Sequence, residues 1–118
     1  KQNVAEVMNI IGNVKGKNLL IVDDLVDTAG TLVSAVEALQ NAGAKDVYAA
    51  ASHPVLSGKA MERINGSNLK KIVVTDTLPL KAPSPKIETE TVAQLFAEAI
   101  KRTFKHQSIS SLFDIDKG

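Results

Sequence analysis

Residues 19–31 read LLIVDDLVDTAGT. Leu19 to Val22 is an unbroken apolar run, the pattern expected of a strand buried on both faces of a parallel sheet. Two adjacent acids, Asp23 and Asp24, end the run, and Asp27 follows. Thr28, Ala29, Gly30 and Thr31 are small or hydroxyl-bearing. From Leu32 the periodicity becomes helical, with Leu32, Val36 and Leu39 in register and Val33 and Ala35 widening the stripe. Strand, acidic turn, small-residue loop and helix together predict an α/β fold. Such a loop brings main-chain N–H groups and a helix N-terminus to one point, and both favour an anion. Gly30 has no Cβ to keep a ligand off the backbone, and Thr28 and Thr31 add hydroxyl donors. The acids repel an anion but accept well from a vicinal diol. A ligand with a phosphate at one end and a cis-diol a few ångströms away uses both features, as a ribose phosphate does. Taken singly, Asp27 or Thr28 would serve as a helix cap and Gly30 as a turn residue. It is the whole string that points to a ligand.

Upstream, Val4 to Ile11 reads as a strand. Turn signals at Gly12-Asn13 and Lys15-Gly16-Lys17 separate it from Leu19–Val22, a short enough connection for a hairpin. Downstream, Asn41-Ala42-Gly43 ends the helix, with Gly43 suited to the C′ position. Val47 to Ser52 is the next strand, which completes a right-handed βαβ unit. Ser52 to Gly58 forms a second loop at a strand's C-terminal end, the edge where ligands collect in open α/β sheets. His53 in that loop reads either as a polar residue closing a strand or as part of a nucleotide or effector pocket. Ser57 is a candidate cap for a short helix carrying Ala60, Met61 and Ile64 and closed by Asn65-Gly66. Lys70 to Thr75 predicts another buried strand, with Asp76-Thr77 at the same edge. Leu78 to Glu90, with Pro79, Pro83 and Pro85, reads as an irregular connection. Thr91 and Gln94 have capping-box spacing, ahead of a helical stripe of Val92, Leu95, Phe96, Ala99, Ile100 and Phe104. Lys101, Arg102 and Lys105 form a solvated basic end where the helix dipole favours cations. Ser108 to Phe113 alternates and suggests a short strand, and Asp114 to Gly118 is expected to fray.

The chain's 118 residues suffice for one small domain. A hydrophobic content of 44% and a charged content of 23% are ordinary for a globular protein. The formal charge of +1, with no basic stripe, excludes an electrostatic nucleic-acid binder. No apolar run approaches the roughly 20 residues that span a bilayer. The absence of cysteine removes disulfides and thiolate metal sites, in keeping with a cytoplasmic protein. The first residue is Lys and the chain opens in a strand-like pattern, so a fragment of a longer protein is expected.

The segment from Val22 to Thr31 resembles the phosphoribosyl pyrophosphate motif of the type I phosphoribosyltransferase fold. With its double acid followed by Asp-Thr-Ala-Gly-Thr, it is most similar to ribose-phosphate pyrophosphokinases. Asn3–Asn9, His53–Gly58, Ile72–Thr77 and Ser108–Phe113 resemble the same family in the same order, so the likeness covers nearly the whole chain. It implies a phosphoribosyltransferase-like (Rossmann-like) parallel sheet flanked by helices and incomplete at its N-terminal side. Residues 1–118 would then be part of a C-terminal domain, without the family's N-terminal domain and mobile loop. The implied reaction transfers pyrophosphate from ATP to ribose 5-phosphate, with Mg²⁺ required, giving phosphoribosyl pyrophosphate and AMP for nucleotide biosynthesis. Asp27, Thr28, Ala29, Gly30 and Thr31 would hold the 5-phosphate, while Asp23 and Asp24 would hold the ribose hydroxyls. Asp27 would either organise the loop or approach the sugar. The catalytic Lys and Arg are expected upstream of Lys1, where Lys1-Gln2 departs from the family's Arg-Pro, and the metal ligands mainly outside this chain. Ser108, Ser110 and Phe113 match a tail that helps form a phosphate or ADP regulatory site between subunits, and the implied assembly is a homo-oligomer, dimer or hexamer. The isolated chain is expected to bind ribose 5-phosphate weakly or not at all, without turnover. Two alternatives share the loop: a phosphoribosyltransferase using phosphoribosyl pyrophosphate, and a non-catalytic synthetase-associated protein.

Overall fold

The computed structural model describes residue 10 and residues 12–113. Most of the strand expected at Val4–Ile11, its hairpin and the tail at Asp114–Gly118 lie outside the described residues. Four strands form one all-parallel sheet in the order β1 (Leu19–Val26), β2 (Val47–Pro54), β3 (Lys71–Thr75) and β4 (Ile87–Glu90). Helix α1 (Gly30–Asn41) joins β1 to β2, and α2 (Ala60–Gly66) joins β2 to β3. Because every strand points the same way, the loops after β1, β2 and β3 gather at one edge.

The core lies between one face of the sheet and these two helices. Val47, Ala49 and Ala51 from β2 alternate inward, as do Ile72 and Val74 from β3. They meet Leu32 and Val36 of α1 and Ala60 and Ile64 of α2. Helix α1 ends as Gly43 implied. Gly43 has φ 99°, its N–H donates to the Gln40 carbonyl, and the Ala44 N–H reaches back to Leu39. This pairing satisfies carbonyls that the helix end would otherwise strand.

Several expectations are corrected. Strand β1 continues through Asp23 and Asp24 to Val26, because ladder pairing of Asp23 with Ala51 and Leu25 with His53 outweighs the low strand propensity of acids. The sheet is not buried on both faces. Leu20 is 62% exposed and Val22 74%, and Val73 shares their open side. The Pro-rich segment includes β4, an edge strand anchored by buried Ile87. Helix α3 (Ala93–Phe104) forms where its stripe predicts, yet none of its residues is buried. Its first turn lacks a capping box. The Asp76 carboxylate accepts from the Val92 N–H at 2.9 Å, and the Thr91 hydroxyl oxygen from the Ala93 N–H at 3.1 Å. Ser110–Phe113 is a 3₁₀ turn rather than a strand.

Candidate functional site

The cradle begins where β1 leaves the sheet. Val26 is the last strand residue, Ala29 takes the left-handed conformation at φ 65°, and α1 starts at Gly30. A left-handed residue just ahead of a helix turns successive main-chain N–H groups towards a common point, an arrangement suited to anions. For an alanine this conformation costs about 1–2 kcal/mol. Such strain gathers at sites where the surrounding structure holds it, and Ala29 is held by burial. The first bond of α1 runs from the Val33 N–H to the Ala29 carbonyl at 3.0 Å. Among the described residues, the N–H groups of Thr28 to Leu32 have no protein acceptor. They are the open donors of a helix N-terminus.

Gly30 is not demanded by the chain's own packing. Its φ is not in the left-handed region, and a Cβ there would meet only the Thr28 hydroxyl, at an ordinary 3.8 Å.

The acids are arranged differently from the simple pair that adjacency suggested. Asp23 and Asp24 are consecutive strand residues, so their side chains leave opposite faces of the sheet. Leu19 and Ile21 are half-buried on the helix-covered side and Leu20 and Val22 are open, but the alternation slips beyond the acids, where Leu25 is exposed and Val26 buried. Both acids are exposed. The Asp23 carboxylate accepts the Asp24 N–H at 2.8 Å. The two acids bracket the end of β1 rather than forming one flat acceptor. Asp27 faces the second loop, where its carboxylate accepts a hydrogen bond from the Ser57 hydroxyl. Ser57 is therefore not a helix cap. Its carbonyl accepts the Ala60 N–H, and Lys59 occupies the cap position of α2.

The second loop also contains a non-glycine residue in the left-handed region, buried Leu56 at φ 51°. His53 is tied down at the same edge, its Nδ1 lying 3.0 Å from the Thr77 hydroxyl. Thr75 and Thr77 both donate to the Ser52 carbonyl, at 2.5 and 3.2 Å. His53 thus closes its strand against the end of β3. The arrangement also contains two residues that sequence reasoning missed: Ser57 as the partner of Asp27, and Arg63 of α2, whose Nη1 donates to the Thr28 carbonyl at 2.9 Å. No local pattern signals either, because each bond spans 30 residues or more.

At the far end of the chain, the Ser108 hydroxyl oxygen accepts the Ser110 N–H, and Arg102 donates to the Ser111 hydroxyl at 2.6 Å and pairs with Glu98. Arg102 is therefore not a freely solvated charge. Among the described residues, no hydrogen bond joins Ser108 or Ser110 to the cradle. Nor does any group of three His, Asp or Glu side chains converge as a metal site among them. No described helix is long and apolar enough to cross a membrane.

A parallel α/β sheet with open main-chain donors at the start of α1 and acids at the same strand end places the chain among α/β proteins whose loops gather at one sheet edge. Comparison with known proteins narrows the class. The family model for the phosphoribosyl synthetase-associated domain matches residues 2–114, and the chain belongs to that family. It is 58% identical over 115 residues to the ribose-phosphate pyrophosphokinase of Chlorobaculum tepidum, covering 97% of this chain and 36% of that protein. It is 57% identical to the ribose-phosphate pyrophosphokinase of Caldanaerobacter subterraneus, covering 96% and 36%. The crystal structure of phosphoribosylpyrophosphate synthetase from Mycobacterium smegmatis superimposes with a TM-score of 0.79 at 39% identity, over 81% of this chain and 33% of that one. The chain spans about a third of the length of the relatives it matches.

Proposed function

We propose that this chain is the ribose 5-phosphate-binding, C-terminal portion of a cytoplasmic ribose-phosphate pyrophosphokinase. The observation that carries the reading is the set of unpaired N–H groups from Thr28 to Leu32, opening α1 beside the acids that end β1. The 5-phosphate rests against these amides, with the Thr28 and Thr31 hydroxyls as further donors and Gly30 leaving room for it. The sugar lies across the end of β1, where Asp23 and Asp24 accept from its hydroxyls from the two sides of the strand. Asp27 does not meet the phosphate. Its carboxylate is engaged by Ser57, which removes the puzzle of an acid beside a dianion.

Held this way, the C1 hydroxyl is the free end of the substrate. Its oxygen attacks the β-phosphorus of ATP, the bond from that phosphorus to the bridging α-phosphate oxygen breaks, AMP departs, and the hydroxyl proton is lost. The described residues contribute binding and orientation to this step, worth much of the barrier when the geometry is near attack. No three His, Asp or Glu side chains converge among the described residues. The Mg²⁺ ligands, much of the ATP site and the cations that neutralise the transferring phosphates are expected mainly in other parts of the protein. The names of the relatives support this substrate pair. The same reading makes the full protein a homo-oligomer, with Ser108, Ser110 and Phe113 contributing to a phosphate or ADP regulatory site between subunits.

A domain exchange tests the proposal. This chain replaces the matching third of the Chlorobaculum tepidum enzyme, and AMP release is followed with ATP and ribose 5-phosphate. Activity is expected in the exchange, with calorimetric binding of ribose 5-phosphate that Asp23→Ala abolishes. A folded exchange that neither binds nor turns over would instead favour a non-catalytic, associated protein.

A further inference from the structure

We propose that Arg63 and Ser57 are positioning residues of the phosphate cradle, holding its main chain so that its amides face outward. Three consecutive carbonyls leading into the cradle are each claimed by the segment 56–63. The Leu56 N–H donates to the Val26 carbonyl at 3.0 Å, the Ser57 N–H to the Asp27 carbonyl at 2.9 Å, and Arg63 Nη1 to the Thr28 carbonyl at 2.9 Å. The Ser57 hydroxyl adds a bond to the Asp27 carboxylate.

The consequence follows from peptide geometry. In a planar trans peptide, the N–H of each residue points opposite to the carbonyl of the residue before it. The peptide bonds here are trans. Carbonyls of Val26, Asp27 and Thr28 turned towards the second loop and α2 therefore turn the N–H groups of Asp27, Thr28 and Ala29 the other way. The Ala29 carbonyl, spent on Val33, does the same for the Gly30 N–H. The second loop and α2 thus clamp one side of the turn and present the other as a row of donors. The clamp also accounts for the strain. Ala29 and Leu56, both buried in left-handed conformations, lie directly beside its bonds.

Arg63 touches the backbone of the cradle rather than the ligand, so its role differs from that of Thr28 or Gly30. Its identity matters in a particular way. A guanidinium keeps a planar, always charged donor on a carbonyl at fixed geometry, whereas a lysine ammonium is a flexible point donor. Asp27 is assigned to the clamp as well, as the acceptor for Ser57.

The clamp's effect on binding rests on the reading of the loop as a phosphate site, but its effect on the loop itself does not. The test therefore has two arms, both by ¹⁵N NMR on the full-length domain-exchange protein, segmentally labelled in these 118 residues. Without ligand, Arg63→Ala and Ser57→Ala are expected to lower the heteronuclear NOE of Thr28 to Thr31, with the middle of α1 unchanged and Arg63→Lys intermediate. With ribose 5-phosphate, the same variants are expected to weaken the saturation of the loop amides about tenfold. Loop order unchanged in both alanine variants would overturn the clamp, whatever the ligand does. A wild-type loop that does not respond to ribose 5-phosphate, together with loosened variants, would sink the substrate reading and leave the clamp standing. A wild type that binds and an Arg63→Ala that binds equally well would overturn the link from clamp to affinity.

Discussion

The two faces of the sheet obey the same alternation but differ in everything else. On one side Val47, Ile72 and Val74 are sealed under α1 and α2, while on the other Leu20, Val22 and Val73 stand open. Helix α3 repeats the contrast, since its apolar stripe is as regular as that of α1 yet nothing on it is buried. Periodicity specifies which residues share a face, whereas burial depends on whether a second surface is present to cover it. The candidate site belongs to the sealed half. Its loops grow from strands and helices packed into the core, and that packing can sustain left-handed alanine and leucine beside the cradle.

The contrast can be broken most forcefully in the core. Ile64→Ala removes a fully buried side chain and is expected to cost about 3 kcal/mol in denaturant unfolding. Gly43→Ala is expected to cost about 1–2 kcal/mol, because φ is 99° and the new Cβ would press on Lys15 at 3.2 Å. Phe104→Ala, on a residue 84% exposed, is expected to change stability by no more than about 0.5 kcal/mol. A loss as large as that of Ile64→Ala would show that the stripe of α3 is covered in solution.

A finer difference concerns pH. The Thr91 hydroxyl, and then the Val92 N–H, hold the Asp76 carboxyl below its ordinary value. A carboxyl depressed in the folded state contributes stability above its unfolded pKa of about 4. That contribution is lost as the pH falls through the lower, folded value. Amide exchange at Val92 and Ala93 is expected to quicken over that acidic range, and Asp76→Asn is expected to abolish the dependence.

Much of this was legible in the sequence, for identifiable reasons. The apolar run from Leu19, the small-residue loop and the helical spacing from Leu32 each carry a local signal, and together they place β1, the cradle and α1. The length of β1 was not legible, because pairing with β2 draws Asp23 and Asp24 into the ladder against their propensity. Strand β4 was hidden by three nearby prolines and has one buried residue to announce it, Ile87. The exposure of Leu20 and Val22 could not be read from an apolar string that looks the same covered or bare. The clamp was invisible because Ser57 and Arg63 meet Asp27 and Thr28 only after the chain has made a full βαβ turn. Ser57 even carried the wrong local signal, a hydroxyl placed where a helix cap belongs.

The most direct measurement compares ribose 5-phosphate with ribose in a ¹H–¹⁵N titration of the full-length domain-exchange protein, segmentally labelled in this chain. The phosphate ester is expected to shift the amides of Thr28, Ala29, Gly30 and Thr31 most strongly, with ribose leaving them in place at equal concentration. Equal responses to both sugars, or shifts centred on His53 and Thr77 with the start of α1 silent, would contradict the cradle.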